Sequence, residues 1–289
     1  MMTHQATLID GKALAGTIRE RVREAAEAHR RAGRPVRLDA ILASDDSGAA
    51  IYARNQASVC EAVGIEYVLH ELPGGSKYDD IAGRVLLLNT DDEVHAIMVH
   101  LPLPAEIDTE RIQSLIDVSK DVEGVNPANI GRVVYGRRSL VPCTALAVME
   151  MIESTGIALR GTRCVIVGAS NIVGKPVAVL LMKAEATVIS TNKYTKDLAS
   201  LARTADVLVS AAGVPGLITA DMVKPGAVVV DVGINRITMP DGTRRTVGDV
   251  AFDEVAGVAG HLSPVPGGVG PMTVAMLMRN TVQSMERSR

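Results

Sequence analysis

Aromatic residues are scarce in this sequence. It has no tryptophan and a single phenylalanine, Phe252, and aromatic residues make up 2% of the chain. Proteins that bind single-stranded nucleic acid stack the bases on aromatic side chains, and almost no such platforms are available here. A net charge of −3 also provides no basic face for a phosphate backbone or an anionic membrane. We therefore expect neither nucleic acid nor a membrane surface as a partner.

Cysteines and long apolar runs are lacking as well. The three cysteines show no metal-ligand spacing and no even disulfide set, which predicts small core residues in a reducing cytosol. No apolar run reaches the length of a membrane span, and the N-terminal residues have no signal-peptide core. We expect a soluble cytoplasmic protein. We expect no metal site, because metal-ligand spacing is also missing from His4, His29, His70, His95 and His261.

The sequence does contain a regular alternation of apolar runs and helical segments. In its second half, apolar runs predict strands at Cys164–Val167, Thr187–Ser190, Asp206–Ala211 and Ala227–Val232. Helical segments separate them, which predicts a parallel sheet with right-handed crossover connections. The first half alternates in the same way, from a long amphipathic helix at Gly11–Ala32 to a strand at His95–Leu101.

The remaining stretches connect or end these elements. Asp121–Pro142 is rich in Gly, Asn, Pro and Arg and predicts a loop, followed by a linking helix at Pro142–Thr155. Met239–Gly242 predicts a hairpin turn, whereas His261–Thr273 is too dense in glycine and proline to form an element. A final helix at Met272–Ser288 is predicted to pack on the first domain. The fold class is therefore α/β with two domains, and cofactor and substrate should meet in a cleft between them.

The stretch RCVIVGASNIVGKP, residues 163–176, carries the main ligand signal. It predicts a buried strand that stops at Gly168, a glycine turn, and a helix after Gly174. This arrangement binds dinucleotide pyrophosphates at the helix N-terminus. The spacing Gly168-x-Ser170-x-x-x-Gly174 differs from the standard G-x-G-x-x-G, so a tight turn in another kind of α/β domain is the alternative.

The residues at the end of the second predicted strand in the second half of the sequence indicate whether NAD or NADP binds. An acidic residue there would hold the ribose 2′-hydroxyl of NAD, but this chain has Thr191, Asn192 and Lys193. A lysine suits a 2′-phosphate, and Lys175 lies in the first turn of the following helix. We therefore predict NADP rather than NAD, with an ordinary solvated role for either lysine as the alternative.

Polar candidates for the substrate side come from the first half. Tyr52 and Gln56 are four residues apart on a predicted helix, so they share a face. His100 ends a predicted strand, and the Asp121/Glu123 pair lies in the irregular loop. Each residue also has a structural interpretation: a packing tyrosine, a histidine bonded to backbone, or a solvated carboxylate. Taken singly, these residues do not establish a function.

Together, motifs along nearly the whole chain resemble the methylenetetrahydrofolate dehydrogenase/cyclohydrolase family of the FolD type. SPVPGGVGPMT (Ser263–Thr273) and GASNIVG are highly specific to it. The other motifs are LIDGK (Leu8–Lys12), CEAVGI (Cys60–Ile65), HLPLP (His100–Pro104), KDVEGVNPANIGR (Lys120–Arg132), PCT (Pro142–Thr144), DVGINR (Asp231–Arg236) and VGDV (Val247–Val250).

The resemblance implies two domains with different functions. Residues 1–141, completed by the C-terminal helix 272–289, would form a catalytic domain, and residues 142–271 a Rossmann-type NAD(P)-binding domain through which a homodimer forms. The family oxidises 5,10-methylenetetrahydrofolate with NADP and hydrolyses the methenyl product to 10-formyltetrahydrofolate. Pro266 and Gly267 would approach the folate, beside Tyr52, His100 and Glu123. By position, the cofactor contacts would be Gly168, Ala169, Ser170, Gly174, Lys193 and Ile234.

The polar pocket departs from the family pattern. Gln56 stands at the family's lysine, His100 at its glutamine and Glu123 at the aspartate that anchors the pterin; Asp46–Ala49 also replaces the usual D-P-A-S. Glutamine cannot exchange a proton near neutral pH, and hydrolysis needs proton transfer. Hydride transfer needs mainly positioning. We therefore predict that dehydrogenase activity is retained and cyclohydrolase activity is lost or weak.

These departures from the family pattern have three alternative interpretations. His100, titrating near neutrality, could take over proton transfer and preserve both activities. The pocket could instead accept a different pterin one-carbon carrier. From another class, the chain could be a non-catalytic folate or dinucleotide sensor, which would bind a dinucleotide without turning it over.

Overall fold

The computed structural model describes residues 5–44, 47–137, 140–238 and 242–287. Numbered along the chain, the strands are β1 (Thr7–Leu8), β2 (Arg37–Leu42), β3 (Glu66–Glu71), β4 (Ala96–Val99), β5 (Arg163–Val167), β6 (Thr187–Thr191), β7 (Val207–Ser210), β8 (Val228–Asp231), β9 (Asn235–Thr238), β10 (Arg244–Val247) and β11 (His261–Leu262). The helices are α1 (Gly11–Arg31), α2 (Ser47–Ala62), α3 (Tyr78–Thr90), α4 (Thr109–Gln113), α5 (Pro127–Val134), α6 (Cys143–Glu153), α7 (Gly174–Lys183), α8 (Leu198–Ala202), α9 (Phe252–Val255) and α10 (Val269–Arg287).

The chain divides into two compact units. The first unit comprises the chain up to Ala15 together with Thr144–Thr273, and the second comprises Gly16–Cys143 together with the residues from Val274 onward. Both units are α/β, as the alternation in the sequence predicts. None of the helices in the described part of the chain is long and apolar enough to cross a membrane.

The first unit contains a six-stranded parallel sheet. Its strand order is β1-β11-β8-β7-β5-β6, and each neighbouring pair runs parallel. The chain leaves β5 for β6 on one side and returns to β7 on the other side, so the winding direction reverses beside β5. Open α/β sheets bind ligands outside the carboxyl ends of their strands at such a reversal. Buried residues of the sheet, such as Val165, Leu208 and Val229, form its core.

The expectation that His261–Thr273 forms no element is wrong. His261–Leu262 forms β11 between β1 and β8, and α10 begins at Val269. A strand of two residues is too short to show a period in the sequence. Pro271 fits the first turn of a helix, because the N–H that proline lacks would have no partner inside the helix there.

The predicted hairpin in the first unit is flanked by the strands it requires. β9 and β10 pair antiparallel, with Thr238 opposite Arg244. Of the predicted turn Met239–Gly242, residues 239–241 lie outside the described residues. Asp46, the first residue of the segment that replaces the family's D-P-A-S, also lies outside the described residues.

The second unit contains a three-stranded parallel sheet with the order β3-β2-β4. Leu38 of β2 pairs with Tyr67 on one side and with Ala96 on the other. Side chains alternate between the two faces of a strand. One face packs on α3 through a core that includes Ile41, Ile81, Val85, Ile97 and Val99. The opposite face packs on α2 through Leu42, Ala49, Ala53 and Leu69.

The predicted loop between residues 121 and 142 contains a helix, α5, which is a correction. Asn126 caps this helix by accepting a hydrogen bond from the N–H of Ala128 at 2.8 Å, and Pro127 occupies the first turn. Two helical turns give little periodicity, so composition alone suggests a loop. The adjacent asparagine and proline are nevertheless a helix-start signal in the sequence.

Candidate functional site

The glycine turn of the first unit joins β5 to α7 as the sequence predicts. Gly168 follows β5 with φ of +108°, and a Cβ there would lie 2.2 Å from the carbonyl oxygen of Ala211. A Cβ on Gly174 would lie 1.9 Å from the carbonyl oxygen of Gly168. Both positions therefore require glycine, because this turn packs backbone directly on backbone.

Ser170 organises the start of α7. Its hydroxyl accepts hydrogen bonds from the N–H groups of Val173 at 3.2 Å and Gly174 at 3.4 Å. Its carbonyl oxygen accepts from the N–H of Lys175 at 3.0 Å. Ala169 and the exposed Ser170 occupy the turn itself. The turn lies at the carboxyl end of β5, where a doubly wound sheet takes a dinucleotide.

The carboxyl end of β6 lies beside this turn. Thr191 ends β6 opposite Val167, and its carbonyl oxygen accepts a hydrogen bond from the N–H of Gly168 at 3.1 Å. Lys193 follows, with its ammonium 5.0 Å from the centre of the Tyr194 ring. The ammonium of Lys175 instead donates to Asn171 Oδ1 at 2.7 Å. The exposed Lys193, with no carboxylate before Asp197, fits a phosphate better than a free ribose hydroxyl.

Two buried aspartates hold the loops after β7 and β8. Asp249 accepts hydrogen bonds from the Ser210 hydroxyl and from the N–H groups of Ala212, Gly213 and Val214, and from the side chain of Asn235. Asp231 accepts from the N–H groups of Gly233, Asp249 and Val250. Burial raises the pKa of Asp231 to about 6. The sequence alone did not predict a role for these aspartates, although both lie in motifs of the family resemblance, DVGINR and VGDV.

A shallow cavity of about 90 Å³ lies at the carboxyl end of β8 in the same unit. It brings together the predicted residues Ile234, Pro266 and Gly267, with Thr246 at its side. Ile234 is 67% exposed. An exposed isoleucine on a loop that buried aspartates hold in place can offer an apolar surface to a planar ring.

The polar candidates of the second unit cluster around His100. The ring of Tyr52, from α2, lies 5.9 Å from the His100 ring at an interplanar angle of 81°. The Tyr67 hydroxyl lies 2.8 Å from His100 Nε2. His100 is 2% exposed, and burial lowers its pKa to about 4. The expectation that His100 titrates near neutrality is therefore wrong, because burial disfavours the charged imidazolium.

Gln56 and Glu123 carry enclosed polar atoms that lack partners. Gln56 is 3% exposed, and neither its Oε1 nor its Nε2 has a hydrogen-bond partner among the described residues. Glu123 Oε2 is enclosed in the same way. Burial, assisted by the charge of Asp121, raises the pKa of Glu123 to about 7, although a hydrogen bond from the Val99 backbone acts in the opposite direction. Native proteins rarely leave such atoms unpaired, so each needs a partner that the described residues do not supply, such as a water or a polar group of a ligand.

The Asp121/Glu123 pair separates into two roles. Asp121 is fully buried and accepts hydrogen bonds from the N–H groups of Val125 and Asn126 and from the side chain of Asn129. Its carboxylate therefore fixes the loop that precedes α5. Glu123 instead acts electrostatically on Tyr52 and raises the pKa of its hydroxyl in addition to burial. Of the pair, Glu123 is the residue with an unpaired carboxylate oxygen, and that oxygen is enclosed.

Tyr67 is the residue of this cluster that sequence reasoning missed. Its partner His100 follows β4, whereas Tyr67 lies on β3, and β2 separates the two strands. Predicting this contact requires the pairing register of β2 with β3 and β4, which the sequence alone does not reveal. Alternation along paired strands places Tyr67, Leu69 and Met98 on the face of the sheet that also carries His100.

Metal ligation has no support in the described ranges, which contain no group of His, Cys, Asp and Glu side chains able to hold an ion. Free thiols are present at Cys60, Cys143 and Cys164, all buried, as the sequence predicts for core residues.

Comparison with known proteins identifies both parts of the chain. Residues 9–123 match the tetrahydrofolate dehydrogenase/cyclohydrolase catalytic domain, and residues 142–289 match the NAD(P)-binding domain of the same proteins. The bifunctional protein FolD of Bordetella avium is 48% identical, with 98% of each chain covered.

Solved structures agree with these matches. The bifunctional enzyme FolD of Campylobacter jejuni, a methylenetetrahydrofolate dehydrogenase/cyclohydrolase, is similar with a TM-score of 0.94 and 42% identity, covering 98% of this chain and 99% of that one. FolD of Trypanosoma brucei, in complex with NADP cofactor and an inhibitor, has a TM-score of 0.92 and 38% identity, with 98% of each chain covered.

Proposed function

The chain belongs to the tetrahydrofolate dehydrogenase/cyclohydrolase family, and we propose that it is an NADP-dependent dehydrogenase of 5,10-methylenetetrahydrofolate with weak or no cyclohydrolase activity. The observation that carries this proposal is the enclosed amide of Gln56, which has no partner among the described residues. A glutamine there can orient a polar ligand but cannot exchange a proton near neutral pH.

The cofactor part of the proposal rests on the first unit. NADP supplies the hydride acceptor when bound. The turn from Gly168 to Gly174 allows close approach of a pyrophosphate, and Lys193 supplies a cation for the 2′-phosphate. Ile234 offers an apolar surface in the cavity that also includes Pro266 and Gly267. The complex of the Trypanosoma brucei relative with NADP supports the same choice.

The folate part rests on the polar cluster of the second unit. Tyr52 offers a half-exposed ring for packing against a flat substrate. The Gln56 amide and Glu123 Oε2 need donors and acceptors from a ligand, and a pterin provides both on its ring edge. These side chains bind and orient the substrate, and orientation is what hydride transfer chiefly requires.

Hydrolysis requires proton transfer in addition to orientation of the substrate. A water must lose a proton and a leaving nitrogen must gain one. The neutral His100, with a pKa of about 4, is a poor acid–base catalyst at neutral pH. Glu123, with a pKa of about 7, is the residue of this cluster whose charge changes near neutrality. Because Gln56 cannot exchange a proton, we assign the cluster to binding and to weak hydrolysis at most, with Glu123 as the group that would carry any residual activity.

A fully bifunctional enzyme is the second candidate function. The relatives from Bordetella avium and Moorella thermoacetica, at 48% and 44% identity, are both named bifunctional. In that case Glu123, rather than His100, would be the residue positioned by its pKa to move a proton.

Assembly and location are proposed from family membership. We propose a cytoplasmic homodimer formed through the first unit. Light scattering of the purified protein tests the assembly, with a dimer mass expected and a monomer mass contradicting it.

The function is tested in two parallel reactions. In the first, purified protein receives 5,10-methylenetetrahydrofolate with NADP⁺ or NAD⁺, and the reduced nucleotide and methenyltetrahydrofolate are followed separately. In the second, methenyltetrahydrofolate alone is added, and its decay is compared with the protein-free rate. We expect NADPH and methenyl product in the first reaction and little or no acceleration in the second. If reduced nucleotide formed neither with NADP⁺ nor with NAD⁺, the dehydrogenase proposal would be contradicted.

A further inference from the structure

Tyr67 reaches His100 across the width of the second unit's sheet. β3 and β4 are separated by β2, and the Tyr67 hydroxyl nevertheless lies 2.8 Å from His100 Nε2. The backbone N–H of His100 donates to the carbonyl oxygen of Ile41 at 2.8 Å, which fixes the start of the side chain. The imidazole is therefore held both at its base and at its far nitrogen.

Both partners of this contact are neutral at physiological pH. Burial raises the pKa of the Tyr67 hydroxyl and lowers that of His100 to about 4. In a neutral pair, one group must donate to the other. A phenol is the stronger acid, and an imidazole nitrogen with a lone pair is the stronger base, so the Tyr67 O–H donates to Nε2. The hydrogen bond made by one ring nitrogen determines which nitrogen carries the proton.

We propose that Tyr67 is a positioning residue that holds His100 in the tautomer with its proton on Nδ1, so that the pocket presents a fixed N–H donor beside Tyr52. This inference rests on the proposed function, since the donor would face the folate substrate. In this proposal Tyr67 acts through His100, whose Nε2 its hydroxyl contacts.

The arrangement changes what this position of the pocket can recognise. A glutamine amide offers both a donor and an acceptor and can exchange them by rotation. A histidine whose Nε2 is occupied by Tyr67 offers only the Nδ1–H donor. The perpendicular packing of its ring against Tyr52 restricts the direction of that donor further. The pair Tyr67–His100 thus favours substrates with an acceptor at this point.

The direct test measures the tautomer of His100 in the free protein. Protein labelled with ¹⁵N-histidine is examined by long-range ¹H–¹⁵N correlation, with His100→Gln providing the assignment. We expect a protonated Nδ1 and an unprotonated Nε2 in the wild type. Tyr67→Phe should shift His100 toward the other tautomer, whereas Tyr135→Phe, which removes a hydroxyl from a residue that is 81% exposed, should not. A wild-type His100 protonated on Nε2 would overturn the proposal without requiring any variant to fold.

The kinetic test is a double-mutant cycle. Tyr67→Phe should lower kcat/KM for the folate substrate about 2- to 12-fold, the range for one net hydrogen bond, mainly through a higher KM. In the His100→Gln background the same change should have no further effect. An undiminished effect in that background would overturn the proposal, because Tyr67 would then act independently of His100. The NMR result needs no turnover, so a failure of the proposed function is distinguishable from a failure of this inference.

Discussion

At the scale of single residues, the pocket of the second unit carries polar atoms that its own fold does not satisfy. An unpaired buried polar group costs about 1–3 kcal/mol of folding stability. Gln56 and Glu123 both have such atoms. Stability is therefore lower at these positions than a well-packed apolar side chain would give, which is a usual feature of binding sites.

The first prediction concerns Gln56→Met, which keeps the side-chain length and removes both amide atoms. We expect the free energy of unfolding to rise by about 1–2 kcal/mol, because the unpaired groups are gone. The folate KM should rise at the same time. Urea unfolding measures the first quantity and steady-state kinetics the second. Gln113→Met is the matched control, since Gln113 is also buried but has no enclosed unpaired amide atom. A destabilised Gln56→Met protein would contradict the interpretation.

The second prediction concerns pH and Glu123. An ionised carboxylate accepts hydrogen bonds from a pterin, whereas the protonated form accepts them less well. The pKa of Glu123 is raised to about 7, so the binding form is present above this pH and is lost as the pH falls below it. The folate KM should rise up to about tenfold per pH unit below 7. Glu123→Gln should remove this dependence, and an unchanged pH profile in that variant would assign it to another group.

At the scale of elements, the ends of parallel strands determine where each ligand contact lies. The turn after β5 and the residues after β6 lie side by side because Val167 pairs with Thr191. Asp249 holds the loop after β7, and Asp231 holds the loop after β8. Strand ends, rather than helices, thus supply most of the candidate cofactor contacts of the first unit.

The third prediction concerns the residues after β6. Lys193→Glu introduces a carboxylate where a ribose hydroxyl would bind, and it repels a 2′-phosphate. We expect the ratio of kcat/KM with NADP⁺ to that with NAD⁺ to fall about 10- to 100-fold, as a lost charge-assisted contact of about 1.5–3 kcal/mol implies. Lys196→Glu, an equal charge change on an exposed residue three positions along, is the control. Equal effects of both variants would indicate general electrostatics rather than a phosphate contact.

The elements also show how far the sequence predicts the fold. The longer strands of both sheets and the turn after β5 are predictable, because apolar runs and glycine spacing are local signals, whereas the two-residue strand β1 is not predicted. β11 and α5 are not predicted, since two residues or two turns give too little periodicity. The Tyr67–His100 contact and the enclosed amide of Gln56 depend on strand register and packing, which a single sequence does not reveal.

At the scale of the whole molecule, family membership and the departures of its pocket point in different directions. Both domain matches and the bifunctional relatives favour two activities. Gln56 and the low pKa of His100 favour the activity that needs no proton transfer from the pocket, and they leave Glu123 as the group there whose charge changes near neutrality. We therefore propose that oxidation and hydrolysis are separated in this chain.

The decay of methenyltetrahydrofolate with wild-type protein that has been shown to form NADPH distinguishes a separated from a bifunctional enzyme. We expect decay at or barely above the protein-free rate for the wild type and a clearly accelerated rate for Gln56→Lys, which restores a group able to exchange a proton. Gln56→Met serves as the control and should remain at the protein-free rate. Wild-type decay as fast as that with Gln56→Lys would contradict this separation and establish a bifunctional enzyme that works without the lysine.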